Sequence, residues 1–138
     1  MRCALHQDTG LGVKPSRVAG KGLFTTRNFK KGEVFGIYVG VVRQMSEYKK
    51  QYHNDYGIEI PGRDKLVVDA RLVDPEFNPL HMANDARGTE FENNMEFVYL
   101  ETDQVILGLC IQDVLAGREV FVNYGDQFWN KITFTASI

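Results

Sequence analysis

The chain has 138 residues, of which 43% are hydrophobic and 25% are charged, and its formal net charge is -2 at pH 7. A chain of this length and composition is expected to fold as one soluble globular domain with its own hydrophobic core. It has no apolar run of the ~18 residues that a membrane helix needs, and its first residues lack the apolar centre of a secretory signal. We therefore expect an intracellular protein without a membrane span. The slight acidity speaks against direct nucleic-acid binding and favours a basic protein or peptide as partner.

Acidic residues are concentrated in one part of the sequence, with few basic residues among them. They are Glu90, Glu92, Glu96, Glu101 and Asp103. If these residues share a surface, they favour a Lys/Arg-rich ligand. A solvated acidic face without a ligand explains them equally well.

The two cysteines, Cys3 and Cys110, are too few to form a zinc cluster by themselves. An intracellular compartment also argues against a disulfide between them. We therefore predict no metal site, and we interpret Cys110 as a small core residue.

Short runs of strand formers, separated by glycine, proline or polar turns, predict a mainly β fold with minor α. The strands are expected at residues 12–15, 23–26, 33–42, 56–60, 65–69, 95–100, 104–111 and 120–122. Helix formers after Ser46 predict one short helix that ends near His53. This helix and the hairpin that follows it, about residues 43–66, form an insertion between strands. Residues 104–111 are expected to be the most buried strand.

Residues 70–94 do not fit a regular pattern. Pro75 and Pro79 interrupt any helix, and polar side chains such as Asn84 enter a partly apolar run. Long irregular segments in compact domains tend to carry function, so we expect part of a binding site here. We interpret His81 in this segment as a satisfied polar side chain rather than a ligand.

Tyr124 stands at the end of the strand over residues 120–122, immediately before Gly125. A tyrosine in this position can direct its hydroxyl into a cavity. By itself, the pattern also fits a structural tyrosine that buries its ring and keeps its hydroxyl wet.

Four features occur in an order that resembles the SET domain of protein lysine methyltransferases. They are Gly20-Lys21-Gly22, the strand end Val67-Val68-Asp69-Ala70, the irregular loop around Asn84, and Gly117-x-Glu119 followed by Tyr124-Gly125. The resemblance covers about residues 12–129. It implies a single SET domain over residues 1–138, with residues 126–138 as a C-terminal flank. It also implies a β-clip fold of several small curved sheets, a pseudo-knot near the C-terminus and a short helical insert.

The resemblance implies that S-adenosylmethionine donates a methyl group to a lysine of a protein. The expected substrate is a histone tail, and the expected product of the cofactor is S-adenosylhomocysteine. Tyr124 is then the expected catalytic residue. The expected cofactor-binding residues are Lys21, Gly22, Asn84, Asp85, Tyr124 and Trp129. The expected lysine channel is lined by Tyr56, Phe97, Val122 and Tyr124. Trp129 fits a structural role at the carboxy-terminal end as well as adenine stacking. A histone substrate implies a nuclear or chromatin-associated location.

The chain departs from the family pattern at three landmarks in the Asn84 loop. Asp85 falls on the family's histidine, His81 on its arginine and Met82 on its phenylalanine. The family's zinc-binding cysteine clusters before and after the domain are also absent, as in its small members. Two other interpretations therefore stay open: a SET-like module that binds a basic peptide without turnover, and an unrelated β-rich binding domain.

Overall fold

The computed structural model describes residues 9–52, 56–61, 66–123 and 133–134, without the side chains of residues 49–52, 133 and 134. Its strands are β1 (Leu11–Pro15), β2 (Lys21–Thr25), β3 (Val34–Tyr38), β4 (Val41–Gln44), β5 (Gly57–Glu59), β6 (Leu66–Asp69), β7 (Met95–Leu100), β8 (Val105–Cys110), β9 (Glu119–Val120) and β10 (Thr133–Phe134). Helix α1 (Met45–Tyr52) follows β4, and a 3₁₀ turn (Leu80–Met82) precedes β7. The mainly β prediction with minor α is confirmed.

The strands form three small sheets, with the orders β1-β2-β9, β10-β7-β8-β3 and β4-β6-β5. In the first sheet, Leu23 pairs with Val120, and both side chains are fully buried. In the second sheet, β7 and β8 pair along their whole length, from Met95 with Cys110 to Leu100 with Val105. The inward faces of these sheets meet in one hydrophobic core, which contains Cys110 as predicted.

The most buried strand is β7, not the predicted strand over residues 104–111. Every residue of β7 except Glu96 is buried, whereas β8 alternates between buried and half-buried residues. The alternation means that one face of β8 is less covered, while β7 is covered on both faces. Hydropathy alone favours the longer apolar run as the most buried strand, and the prediction for residues 104–111 is therefore wrong.

The strand predicted over residues 33–42 is divided into β3 and β4, which lie in different sheets. The chain turns at Gly40, where an added Cβ would collide with the backbone carbonyl of Asp69. A glycine allows this approach of two backbones, and the approach directs β4 away from β3.

The carboxylate of Asp69 is fully buried and bound on both oxygens. Its Oδ2 accepts a hydrogen bond from Arg43 Nε at 2.7 Å, and its Oδ1 accepts one from the backbone N–H of Arg71 at 2.9 Å. Arg71 Nε lies 4.0 Å from Oδ2. We call Gly40, Arg43, Asp69 and Arg71 the Asp69 cluster.

The predicted helix and hairpin are confirmed. Helix α1 covers residues 45–52, and β5 pairs antiparallel with β6. Tyr48 of the helix is buried against Gly57, where an added Cβ would collide with the tyrosine ring. No helix in the described ranges is long and apolar enough to cross a membrane.

Residues 119–122 pass between the two ends of the loop that runs from Asn84 to Met95. Val122 donates its backbone N–H to the carbonyl of Asn84 at 2.9 Å. On the other side, Asn94 accepts the N–H of Phe121 on its Oδ1 at 2.8 Å. This threading is the pseudo-knot that the family resemblance implies, and it brings Phe121 and Val122 beside Asn84.

Candidate functional site

The Gly20 turn, the Asn84 loop and β9 meet at one side chain. Asn84 Nδ2 lies 3.1 Å from the carbonyl oxygen of Ala19 and 3.2 Å from that of Lys21. The same nitrogen lies 3.2 Å from Oε2 of Glu119, which also accepts a hydrogen bond from Ser16 Oγ at 2.8 Å. We call Ser16, Ala19, Lys21, Asn84 and Glu119 the Asn84 junction. Three motifs that are far apart in the sequence are therefore in direct contact.

The two ends of the Asn84 amide are used differently. An amide nitrogen carries only two hydrogens, and three oxygens of the chain surround the nitrogen of Asn84. Its Oδ1 accepts no hydrogen bond from any residue in the described ranges. The half-buried side chain therefore holds the junction with its nitrogen and offers its oxygen to a ligand that donates a hydrogen bond.

Different structural features explain the glycines at positions 20 and 22 of the turn. Gly20 has a φ of 46°, and an added Cβ would meet no heavy atom of the described residues within 4 Å, so this part of the chain leaves the space beside Gly20 open. Gly22 faces Glu119, and an added Cβ would collide with the carboxylate. The approach of Glu119 therefore favours glycine at position 22, while the open space beside Gly20 can receive a ligand. Lys21 lies between them and exposes its side chain.

Asp85 is engaged within its own loop. Its Oδ1 accepts the backbone N–H of Arg87 at 2.9 Å, and its Oδ2 lies 3.5 Å from the Arg87 guanidinium. Arg87 in turn donates to the Oδ1 of Asn123 at 3.0 Å. Asp85 therefore helps to hold the loop against the residue that precedes Tyr124.

A second group of residues lies around Tyr38, which sequence reasoning missed. The Tyr38 hydroxyl donates to the carbonyl of Tyr56 at 2.6 Å, and its ring meets Phe97 edge-on with centroids 5.3 Å apart. Tyr56 and Phe97, two of the predicted channel residues, are thus connected through Tyr38. Tyr38 is the last residue of β3. A tyrosine at the end of a predicted strand is the signal that was used for Tyr124 in the sequence, and it was available for Tyr38 as well.

Tyr56 has a left-handed backbone with a φ of 61°. This conformation costs about 1 kcal/mol or more for a residue with a side chain. Hydrogen bonds from the Tyr38 hydroxyl and from the backbone N–H of Ala70 hold its carbonyl in place. The residue as a whole is 43% exposed, and its ring meets that of His81 edge-on with centroids 5.5 Å apart.

Phe97 and Val122 are both fully buried in the same core cluster. Val122 forms an isolated bridge with Met95, which lies two residues before Phe97 on the same face of β7. The predicted channel residues Phe97 and Val122 are therefore on adjoining segments. Tyr124 and Trp129 lie outside the described residues.

His81 is buried, and burial lowers its pKa, while a hydrogen bond to the Asn78 backbone opposes the shift without reversing it. A neutral imidazole is therefore favoured at neutral pH, in agreement with a satisfied polar side chain. Burial likewise raises the pKa of the Cys110 thiol, whose Sγ donates to the carbonyl of Gln112 at 2.9 Å. Among the described residues, no group of three or more His, Cys, Asp or Glu side chains is arranged to hold a metal ion.

Four of the five acidic residues singled out from the sequence lie beyond the two ends of β7, and the fifth, Glu96, lies within the strand. Glu90 and Glu92 precede β7, whereas Glu101 and Asp103 follow it. A strand of six residues separates its ends by about 20 Å at ~3.3 Å per residue. The expectation of a single acidic surface therefore does not extend to all five residues.

Comparison with known proteins agrees with this arrangement. A family model described as SET domain matches residues 20–125. No curated protein gives a significant match. Among solved structures, the methyltransferase domain of human PR domain-containing protein 2 is similar, with a TM-score of 0.65 and 26% identity over 86% of this chain and 80% of that chain.

Two further solved structures show the same fold at lower sequence identity. One is PFL0690c of Plasmodium falciparum, provisionally named a histone methyltransferase, with a TM-score of 0.61 and 18% identity over 87% of this chain and 96% of that chain. The other is ctPRC2 in complex with H3K27me3 and H3K27M, with a TM-score of 0.69 and 23% identity over 92% of this chain and 16% of that chain.

Proposed function

The chain belongs to the SET-domain family, and on that premise we propose that it transfers a methyl group from S-adenosylmethionine to a lysine of a basic protein. A histone tail is the proposed substrate, S-adenosylhomocysteine the product, and a nuclear or chromatin-associated location follows from that substrate. At the level of the family, the chain is a lysine-methyltransferase-type domain. The observation that supports the proposal most is the Asn84 junction, which joins the glycine turn, the Asn84 loop and β9.

The residues at the junction fit S-adenosylmethionine. Its methionine part carries an ammonium group, and the Oδ1 of Asn84 is an acceptor that the described chain leaves available. The open space beside Gly20 lets a ligand approach the backbone at Lys21 and Gly22. We propose that these residues, with Asp85, Tyr124 and Trp129, hold the cofactor. When bound, S-adenosylmethionine supplies a methyl group activated by a sulfonium centre.

The aromatic group around Tyr38 would desolvate the substrate lysine. A free lysine has a pKa of ~10.4, and a neutral amine near pH 7 to 8 requires a decrease of roughly three units, or about 4 kcal/mol. Burial of the amine beside Phe97, Tyr56 and Val122 acts in this direction, because an apolar wall disfavours the ammonium. The proposed role of Tyr124 is to orient the neutral amine through its hydroxyl, so no strong general base is required.

The proposal is tested by incubating the protein with labelled S-adenosylmethionine and a panel of core histones and basic peptides. We expect incorporation of label into a basic substrate and its loss in Tyr124→Phe. Thermal denaturation with the cofactor provides a second readout, because a ligand of the native state at 100 times its Kd adds about 2.7 kcal/mol of stability. An unchanged melting temperature at millimolar cofactor would contradict the proposal.

The second candidate function is a SET-like module that binds a basic peptide without turnover. It is favoured by Asp85, whose carboxylate stands where the family has a histidine and is engaged by Arg87. The two functions differ in one result. A cofactor-dependent rise in melting temperature without transfer to any basic substrate would favour the binding module.

A further inference from the structure

A cleft of about 770 Å³ lies on the outer face of the β1-β2-β9 sheet. Leu23 and Val120 are buried in the core, so their neighbours Phe24 and Glu119 point to the opposite face. Phe24 lines the cleft together with Phe91 and Phe121. The rings of Phe91 and Phe121 stack with centroids 5.4 Å apart. Phe24 and Phe91 are half-buried and Phe121 is buried, and Lys14 Nζ lies 5.4 Å from the centroid of the Phe24 ring. The aromatic surface that the cleft presents to a ligand is therefore mainly that of Phe91.

The charges around the cleft are predominantly negative. Its lining includes Glu90, Glu92, Asp113 and Glu119 against Arg17 and Arg118, which gives four acidic and two basic side chains. Asp113 already accepts the backbone N–H of Lys31, and Glu119 belongs to the Asn84 junction. Glu90 and Glu92 are exposed and have no hydrogen bond or ion pair with any residue in the described ranges.

Glu90 and Glu92 flank Phe91 directly in the sequence, so two carboxylates border one exposed part of the aromatic surface. Lysine and arginine side chains match this combination. Their aliphatic stems cover aromatic rings, and their charged ends interact with a ring face or with nearby carboxylates. An acidic ligand would be repelled, and an apolar ligand would cover the carboxylates without pairing them.

We propose that this cleft, which we call the Phe91 cleft, binds a Lys/Arg-rich segment of a polypeptide. The segment would be a second part of the basic substrate, held outside the candidate lysine channel. The identification of the occupant as substrate rests on the proposed function, whereas the binding of a basic segment does not require methyl transfer.

The binding is measured by fluorescence anisotropy with a short labelled peptide of alternating arginine and alanine, in the absence of cofactor. The cleft variant combines Glu90→Gln with Glu92→Gln. The matched control combines Glu101→Gln with Asp103→Asn, which makes the same change in net charge at the other end of β7. We expect about threefold to tenfold weaker binding in the cleft variant and less than about a twofold change in the control.

A third variant, Phe91→Leu, removes the aromatic ring and keeps an apolar side chain. We expect about twofold to fivefold weaker peptide binding, together with a melting temperature close to that of the wild type. Equal weakening in the two charge variants would overturn the proposal, because binding would then depend on net charge alone. Absence of peptide binding by the wild type would also overturn it. Failure of methyl transfer would contradict the proposed function, but it would not affect the conclusion drawn from peptide binding.

Discussion

The Asp69 cluster and the Asn84 junction anchor the same irregular segment, one at its start and the other further along. Each includes or adjoins a glycine that allows a close approach: Gly40 belongs to the first, and Gly22 faces Glu119 of the second. In the Asp69 cluster, both carboxylate oxygens are bound by arginine residues of the chain. In the Asn84 junction, only the amide nitrogen is bound within the described chain.

The difference separates a structural site from a site that can bind a ligand. A fully buried carboxylate must have all its partners supplied by the fold, because unpaired charge is costly in the interior. A half-buried amide can keep one acceptor for a ligand at little cost to the apo protein. The acceptor of Asn84 that the described residues leave unused, rather than the presence of a polar loop, is the feature on which the proposed cofactor site rests.

The largest expected effect is at Asp69. Asp69→Asn removes the charge that pairs with Arg43 in a buried position, and we expect the free energy of unfolding to fall by about 3 kcal/mol. Urea denaturation measures this loss. The control is Glu33→Gln, which removes a pair at 3.5 Å between side chains that are 42% and 49% exposed. It should lose less than about 1 kcal/mol. Equal losses in the two variants would contradict the structural role of the Asp69 cluster.

The two glycines provide the next comparison. In Gly40→Ala the new methyl group collides with the backbone of Asp69, which cannot rotate away, and we expect a loss of about 2 kcal/mol. In Gly22→Ala it collides with the end of the Glu119 side chain, which can move at the expense of its hydrogen bonds. We expect a loss of about 1 kcal/mol. Urea denaturation of both variants tests this order. A larger loss of stability in Gly22→Ala would contradict the expectation that the contact between Gly40 and the Asp69 backbone is the more rigid of the two.

Asn84→Asp tests the polarity of the junction. The new carboxylate stands close to Glu119 Oε2, which lies 3.2 Å from the present amide nitrogen. We expect a loss of about 1 kcal/mol from the lost donor and like-charge repulsion.

Adding Glu119→Gln to Asn84→Asp provides the matched control. The glutamine amide can donate to the new carboxylate, so part of the lost stability should return. A double variant less stable than Asn84→Asp alone would show that the pairing of these two residues does not hold the junction.

The smallest expected effect is at His81, which lies between the two anchors. Folding lowers the pKa of His81 below its usual value of 6.5, so the unfolded chain binds a proton more readily. The stability that the neutral His81 imidazole contributes is fully present above about pH 6.5. This stability decreases as the pH falls below that value, by less than about 1 kcal/mol per pH unit. His81→Gln should have a shallower decrease in melting temperature between pH 7.5 and pH 5 than the wild type. Parallel curves would contradict the pKa shift.

Local patterns in the sequence predicted much of the fold. The β5-β6 hairpin, the β7-β8 hairpin and helix α1 follow from alternation, turn residues and helix formers within short windows. The same patterns predicted one strand over residues 33–42, because they contain no information about the backbone of Asp69 that meets Gly40. They also could not show which of two adjacent apolar strands is covered on both faces.

The candidate site was only partly predictable. Asn84, Gly20 and the motif that contains Glu119 were identified through their order in a family pattern, and the structure places them in contact. Tyr38 was missed because its hydroxyl is satisfied by a carbonyl 18 residues away. The roles assigned to Tyr124 and Trp129 remain predictions, since these residues lie outside the described ranges.

The sequence by itself determined the strand content, the turns and the order of the SET motifs, because each depends on neighbouring residues and their backbone preferences. The tertiary structure decided what those motifs do together. It brought Ser16 within hydrogen-bonding distance of Glu119 across 103 positions. It also left one acceptor of Asn84 unused by the described residues, and it formed an aromatic cleft beside only two of the five clustered acids. These properties depend on contacts between distant segments, and no local periodicity specifies such contacts.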